Sequence, residues 1–354
     1  MQDYLSTTSR LVAILIAILF VAAVSAALLA VNLERQLSNP ETYKQALVEQ
    51  DLYARLPAIL AEQVSANGQA NPAGLPVILQ SLTQADWETI FARLTTPEGR
   101  QVEIESVVDR FFAYLNTSEP QLNARISLSE LKTRLASEEG LAAFIEILQR
   151  QPACTDEQML QIATTVLTGG DLNAIPVCNP PPELLTQVTP LIQAQLVNVA
   201  ANVIPGEIDL AQAIQGRQSS PAEDPAANFR LSYQRARLYA GLTLLAPIFL
   251  ILLVTVFAVR SFKGLLLWWG IPILAAGLAG ILLALSVVPL LSWIDAHYLA
   301  ALRPADLSPA WTPVISDFLV FLSRRLAVSI TLQAGVLFLI GILIALVGFL
   351  VPRR

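Results

Sequence analysis

Apolar positions along this chain fall into four long uninterrupted runs, and everything between them alternates in the three-to-four-residue rhythm of half-buried helices. Residues 11–32 carry no charged side chain and are long enough to cross a hydrocarbon core of about 30 Å as a helix. Arg10 precedes this run, and Glu34 and Arg35 lie just past it. Val24, Ser25 and Ala26 resemble the small-residue site of a cleaved export signal. The apolar run nevertheless continues from Ala27 to Val31, which favours an uncleaved anchor, and either reading exports the residues C-terminal to it. Residues 238–259, 265–291 and 331–351 predict three further spans. Pro247, Pro272 and Pro289 are candidate kinks in them.

The block 33–237 reads as a string of helices. Asn39-Pro40-Glu41 is a helix start, with a capping amide, a proline where its missing N–H costs nothing, and an acid near the positive helix end. Tyr43, Leu47, Leu52, Leu56 and Ile59 continue that start as an apolar stripe that ends towards Asn67-Gly68. Further helical stretches contain Trp87, Ile90, Phe91 and Leu94, then Val107, Val108, Phe111, Phe112 and Leu115. Ser127 with Glu130, and Thr155 with Gln158, have the spacing of capping boxes. Residues 184–199 form a last apolar-periodic run after Pro180-Pro181-Pro182. Residues 71–76 and 215–227 are rich in turn formers and predict a linker and a hinge. No period-two run stands out, so an all-α lobe is expected.

Residues 292–330 separate the last two spans. Within them Trp311, Val314, Ile315, Phe318, Leu319, Leu322 and Leu326 share one helical face after a Thr312-Pro313 start. The opposite face is not notably basic, which favours packing against the acidic lobe over lying on a lipid surface. Gly270 and Gly277 lie two turns apart on one face of the third span, as do Gly341 and Gly348 on the fourth. Either pair lets a neighbouring helix come close.

Composition agrees with a membrane protein. Of 354 residues, 54% are hydrophobic and only 14% charged, against about 25% charged in average soluble domains. The block from Glu34 to Arg235 holds 24 of the 28 acidic side chains but 13 of the 22 basic ones. That acidity argues against nucleic acid as a partner, since phosphates would be repelled. Lysine is scarce and arginine and alanine common, a bias of GC-rich bacterial coding.

Charge also orients the chain. Arg10 in the 1–10 tail, Arg260 and Lys263 in the 260–264 turn, and Arg353 and Arg354 in the 352–354 tail place both termini and that turn in the cytoplasm. The lobe and the 292–330 segment then face outward. Arg235, Arg237, Arg324 and Arg325 flank spans on that outer side and count against the assignment. Trp268 and Trp269 at one end of the third span, and Trp293 at the other, fit interfacial anchors. Cys154 and Cys178, the two cysteines, both fall in the outward lobe, where an oxidising compartment preserves a disulfide.

Candidate chemistry is sparse. His297 is the single histidine, with Asp295 two residues away as a conceivable partner. An interfacial, solvated imidazole accounts for it more simply. Two distant cysteines and one histidine do not make a zinc site. Neither a Gly-x-Ser-x-Gly elbow nor a phosphate-binding Gly-x-x-x-x-Gly-Lys loop occurs. The pairs Glu103/Glu105 and Glu138/Glu139 do not share a helix face, and no Asp, Glu, Lys or Arg interrupts a span. Asn116-Thr117-Ser118 matches a glycosylation triplet without bacterial meaning.

The sequence therefore predicts an all-α protein with four transmembrane helices and a helix-rich extracytoplasmic domain between the first and second. No catalytic residue, metal or cofactor is expected. The expected partners are the lipid bilayer and an envelope protein or a second copy of the chain. A binding, sensing or scaffold role at the cell envelope is the leading expectation. A passive or lipid-handling transport component is the alternative, and a membrane-bound enzyme comes third.

Overall fold

A computed structural model describes residues 2–70, 82–117, 122–168, 176, 178–209, 225–299 and 309–352. The predicted linker 71–76, most of the hinge 215–227, Ser118, Arg353 and Arg354 lie outside the described residues.

Among the described residues, four helices are long and apolar enough to cross a membrane. The first, α1 (Gln2–Leu37), has 36 residues. At 1.5 Å per residue it is ~54 Å long and outruns a hydrocarbon core of ~30 Å. Asn39 then caps α2 (Pro40–Glu49) by accepting from the Glu41 N–H at 3.0 Å, as the Asn-Pro-Glu signal predicts. Asp51, at φ 50°, makes the turn into α3 (Leu52–Ala70), which runs past the expected Asn67-Gly68 stop.

The lobe continues with α4 (Gln84–Leu94), α5 (Pro97–Asn116), strand β1 (Arg125–Ser127), α6 (Ser129–Leu135), α7 (Glu138–Arg150), α8 (Asp156–Thr168), α9 (Pro182–Asn198) and strand β2 (Glu207–Asp209). A π-helical turn, Val199–Val203, extends α9. The fold is all-α as predicted, and this three-residue ribbon is the one strand pairing among the described residues. Its two strands pair antiparallel, Ile126 opposite Ile208, and Arg125 reaches Glu207 at 3.2 Å.

The ribbon overturns one predicted cap. Ser127 belongs to β1 and its N–H donates to Glu103, while α6 begins two residues later with no side-chain cap. The Thr155/Gln158 box is present, both of its hydrogen bonds made. A further box at Thr83 and Asp86 opens α4.

The second span breaks in two: α10 (Pro225–Leu242) and α11 (Leu245–Ala258) are separated at Thr243-Leu244. Pro247 explains the position. Its ring collides with the carbonyl four residues earlier, on Thr243, and it brings no N–H to bond it. Then α12 (Phe262–Ile294) runs 33 residues and passes into a π-turn, Asp295–Leu299. The last helix, α13 (Trp311–Leu350), is a single rod of 40 residues, ~60 Å and so about twice the hydrocarbon thickness. The predicted amphipathic helix and the fourth span are thus one element.

The longest interface is α12 against α13, antiparallel and closed by glycine. A Cβ on Gly270 would stand 2.6 Å from the Ala345 nitrogen, and one on Gly280 2.7 Å from the Ala334 Cβ. Gly277 faces Phe338 and Gly341 faces Leu274, each at backbone contact. The two predicted glycine pairs therefore lie along one seam, each glycine against a larger residue of the facing helix, and at Gly270, Gly277 and Gly341 only hydrogen fits. Helix α1 packs on α11 and α12, with Phe20 and Val24 against Ala276.

Candidate functional site

The residues that join lobe to bundle form the most elaborated polar region of the molecule, and they belong to the overlong parts of α1 and α13. Asn32, 2% exposed, ends the apolar run of α1. Its Nδ2 donates to the Gln333 Oε1 at 2.8 Å, and the Gln333 Nε2 returns a bond to the Asn32 Oδ1 at 3.0 Å. The Asn32 amide also donates to the Leu28 carbonyl at 2.7 Å. One turn on, the Gln36 Nε2 donates to the Ser329 hydroxyl at 3.4 Å, and its Oε1 accepts from the buried Thr42 hydroxyl at 3.3 Å. This ladder carries the chain from span to lobe with its amides paired, as burial requires.

Beyond the ladder, α13 serves as a floor for α2 and α3. Val314 packs with Leu52 and Ile59, and Trp311 and Leu47 flank them. The Tyr43 ring stacks on Phe318 at 5.3 Å and tilts against Phe112 at 5.0 Å. Glu62 accepts from the Ala310 N–H at 3.1 Å at the start of α13, favourable at the positive helix end. Arg325 hydrogen-bonds Gln45. The first part of the amphipathic face predicted for 311–326 thus packs against the lobe, while Leu326 packs with Ala284 and Val287 of α12.

Electrostatics stiffen the same region. Lys44 bridges α2 to α5, its Nζ 2.7 Å from Asp109 and 3.1 Å from Glu41, and the Asp109 bond holds its pKa above the usual lysine value. Arg100 donates to the Tyr53 carbonyl at 2.9 Å and the Thr95 carbonyl at 2.7 Å, and burial lowers its pKa. Burial and the neighbouring Glu105 carboxylate push the Tyr53 hydroxyl up to about 12. Arg237, which counted against the predicted orientation, pairs with Glu34 at 3.1 Å and Asn116 at 2.8 Å.

The structure disperses the other predicted residues. The Cys154 and Cys178 sulfurs are bonded at 1.99 Å, beside a backbone bridge between Ala153 and Asn179. With Ile162, Val188 and Ile192 they make a small satellite core. Trp293 is half exposed, stacked on His297 at 4.9 Å and edge-on to Tyr298 at 5.6 Å. His297 donates from Nδ1 to the Trp293 carbonyl at 2.9 Å. The Trp269 indole N–H donates to the Thr255 hydroxyl of α11 at 2.8 Å and ties two spans together. Trp268 lines an apolar groove of about 380 Å³ between α1 and α12, with Ile14, Ala17, Ile18, Val21, Leu267, Ile271, Pro272 and Ala275. Lys263 donates to the Val351 carbonyl at 2.8 Å, capping the end of α13.

Sequence reading missed Asn32, Gln36, Thr255 and Gln333. Their signal was present: amide and hydroxyl side chains within or at the end of apolar runs, where each must find a partner. Among the described residues, no group of three or more His, Cys, Asp or Glu side chains is placed to hold a metal ion. No family model, curated protein or solved structure matches this chain.

Proposed function

We propose that this protein is a non-enzymatic sensor or scaffold of the bacterial cell envelope, which binds through an extracytoplasmic helical lobe and couples that lobe rigidly to its membrane bundle. The single observation that carries the reading is α13, one unbroken helix that floors the lobe at one end and forms the glycine seam at the other. A helix bends only at identifiable weak points, and the structure records no break in this one between Trp311 and Leu350. Displacement of α2 and α3 by a bound partner therefore reaches α12 through α13, and reaches α1 through Asn32 and Gln333.

Sidedness rests on charge. Arg10 lies in the first turns of α1 and Arg260 and Lys263 at the start of α12, the ends of those helices remote from the lobe, and the dissenting Arg237 and Arg325 are engaged by Glu34, Asn116 and Gln45. The disulfide fits the outward placement. Transport is less well supported, because the longest helix interface is closed to backbone contact.

Two measurements on intact cells test the reading. A membrane-impermeant thiol reagent, added after mild reduction, should label Cys154 and Cys178 without permeabilisation. Labelling only in permeabilised cells would overturn the outward placement. Photo-crosslinking residues at exposed Val102 and Leu160 of the lobe should yield discrete protein adducts. Adducts to lipid or water alone would remove the binding role.

A further inference from the structure

The apolar groove between α1 and α12 lies towards the helix starts that carry Arg10, Arg260 and Lys263. The two helices run in the same direction, since Phe20 and Val24 pack with Ala276 and Leu28 lies against Gly280. Their starts therefore lie at the same end of the bundle. Arg10 precedes the lining residue Ile14 by one turn, and Lys263 precedes Leu267 by one turn. Residues four apart share a helix face, so each cation lies ~6 Å beyond the groove along its own axis. Arg260 stands in the short turn just before α12. Arg10 and Arg260 are exposed, and Lys263 is half-buried over the α13 carbonyls.

No acidic side chain stands between them and the groove. The sequence holds no Asp or Glu between Asp3 and Glu34, between Asp224 and Asp295, or after Asp317. The groove itself is almost wholly carbon, with Trp268 and Pro272 forming its wall on α12. A slot for hydrocarbon thus ends, one turn along, at positive charge, with no acidic side chain between those cations and the groove.

We propose that this groove and its rim bind one anionic phospholipid of the bilayer, its acyl chain along Ile14, Ile18 and Trp268 and its phosphate at Arg10, Arg260 and Lys263. A zwitterionic lipid fills the slot equally well but leaves the cations without a net counter-charge. A transmembrane helix from a partner supplies apolar surface but no anion at that depth. The site lies at the opposite end of the bundle from the lobe and does not depend on the sensor or scaffold reading.

The test uses the full-length protein in nanodiscs of phosphatidylcholine mixed with phosphatidylglycerol, with bromine placed on the acyl chains of one lipid at a time. Bromine quenches indoles at contact, so brominated phosphatidylglycerol should quench more than brominated phosphatidylcholine at equal mole fraction. The difference should vanish in Trp268→Phe. Arg10→Gln and Arg260→Gln should each weaken the preference about fivefold, the effect of one basic side chain near an anionic surface. Equal quenching by the two lipids overturns the proposal. So does a preference that survives the double substitution, which would place the lipid elsewhere. Quenching of Trp268 by neither lipid overturns it too, because protein would then cover the groove. The wild-type comparison needs no variant to fold.

Discussion

Asn32 and Gln333, 301 positions apart, exchange two side-chain hydrogen bonds where the first and last spans leave the apolar layer. Asn32 is 2% exposed and Gln333 half-buried, so each amide finds its hydrogen-bond partner in the other. Such pairs are worth less in membranes than intuition suggests, on average ~0.6 kcal/mol and at most about 1.7. Asn32→Leu and Gln333→Leu should each destabilise the detergent-solubilised protein by about 1 kcal/mol, because each strands a buried partner. The double substitution should cost less than the two singles together. Thermal unfolding of all four species closes the cycle, and strict additivity would show that the pair is not coupled.

The glycine seam makes a sharper claim. A methyl group on Gly341 meets the Leu274 backbone, and backbone cannot rotate away, whereas one on Gly335 has nothing within 4 Å. Gly341→Ala should cost about 1–3 kcal/mol by overpacking. Gly335→Ala, on the same helix, should be neutral or stabilising by up to about 1 kcal/mol. Equal melting temperatures for the two variants would mean that the spans do not meet at this seam.

Removing the disulfide should loosen the lobe locally. The bond closes a loop of 24 residues' separation, and the chain-entropy account assigns it roughly 3 kcal/mol. Cys154→Ser with Cys178→Ser should raise hydrogen exchange in α8 and the start of α9, while the α12–α13 interface stays protected. Unchanged exchange in α8 would show that the satellite core holds without it.

Alkali should dissolve the contact between α3 and α5. Tyr53 is raised from 10.0 to about 12 by burial and by Glu105, so the fold favours its neutral form. That contribution is complete below the unfolded value, near pH 10, and disappears as pH climbs towards 12. Lys44 and Tyr43 are raised in the same direction and add to the loss. Tyr53→Phe should flatten the stability profile between pH 10 and 12, measured by urea unfolding of the lobe signal. A profile as steep as that of the parent protein would assign the alkaline transition to other groups.

Much of the architecture was legible in order of residues alone. Four apolar runs announced four long helices because a segment in lipid must satisfy its own backbone. The Asn39-Pro40-Glu41 start and the Thr155/Gln158 box are local devices, and local devices survive into the fold. Ser127 looked like a third such device and is instead part of a ribbon. Its partner Glu207 is 80 positions away, beyond the reach of any local rule. The break at Thr243 was half legible: Pro247 was visible, but the rupture falls four residues earlier, where the ring meets the carbonyl.

By itself, the order of residues determined which segments are apolar, where helices start, which cysteines can pair and which ends carry positive charge. These are one-dimensional properties, set by hydropathy, capping chemistry and charge. Tertiary structure alone decided that Gly270 and Gly277 meet Ala345 and Phe338, and Gly341 meets Leu274, across one antiparallel seam. It alone also joined the amphipathic stretch to the fourth span as a single rod under the lobe, and gave Asn32 its partner in Gln333. The physical reason is common to all three. Close packing and buried hydrogen bonds are pairwise, and a chain states only one member of a pair at a time.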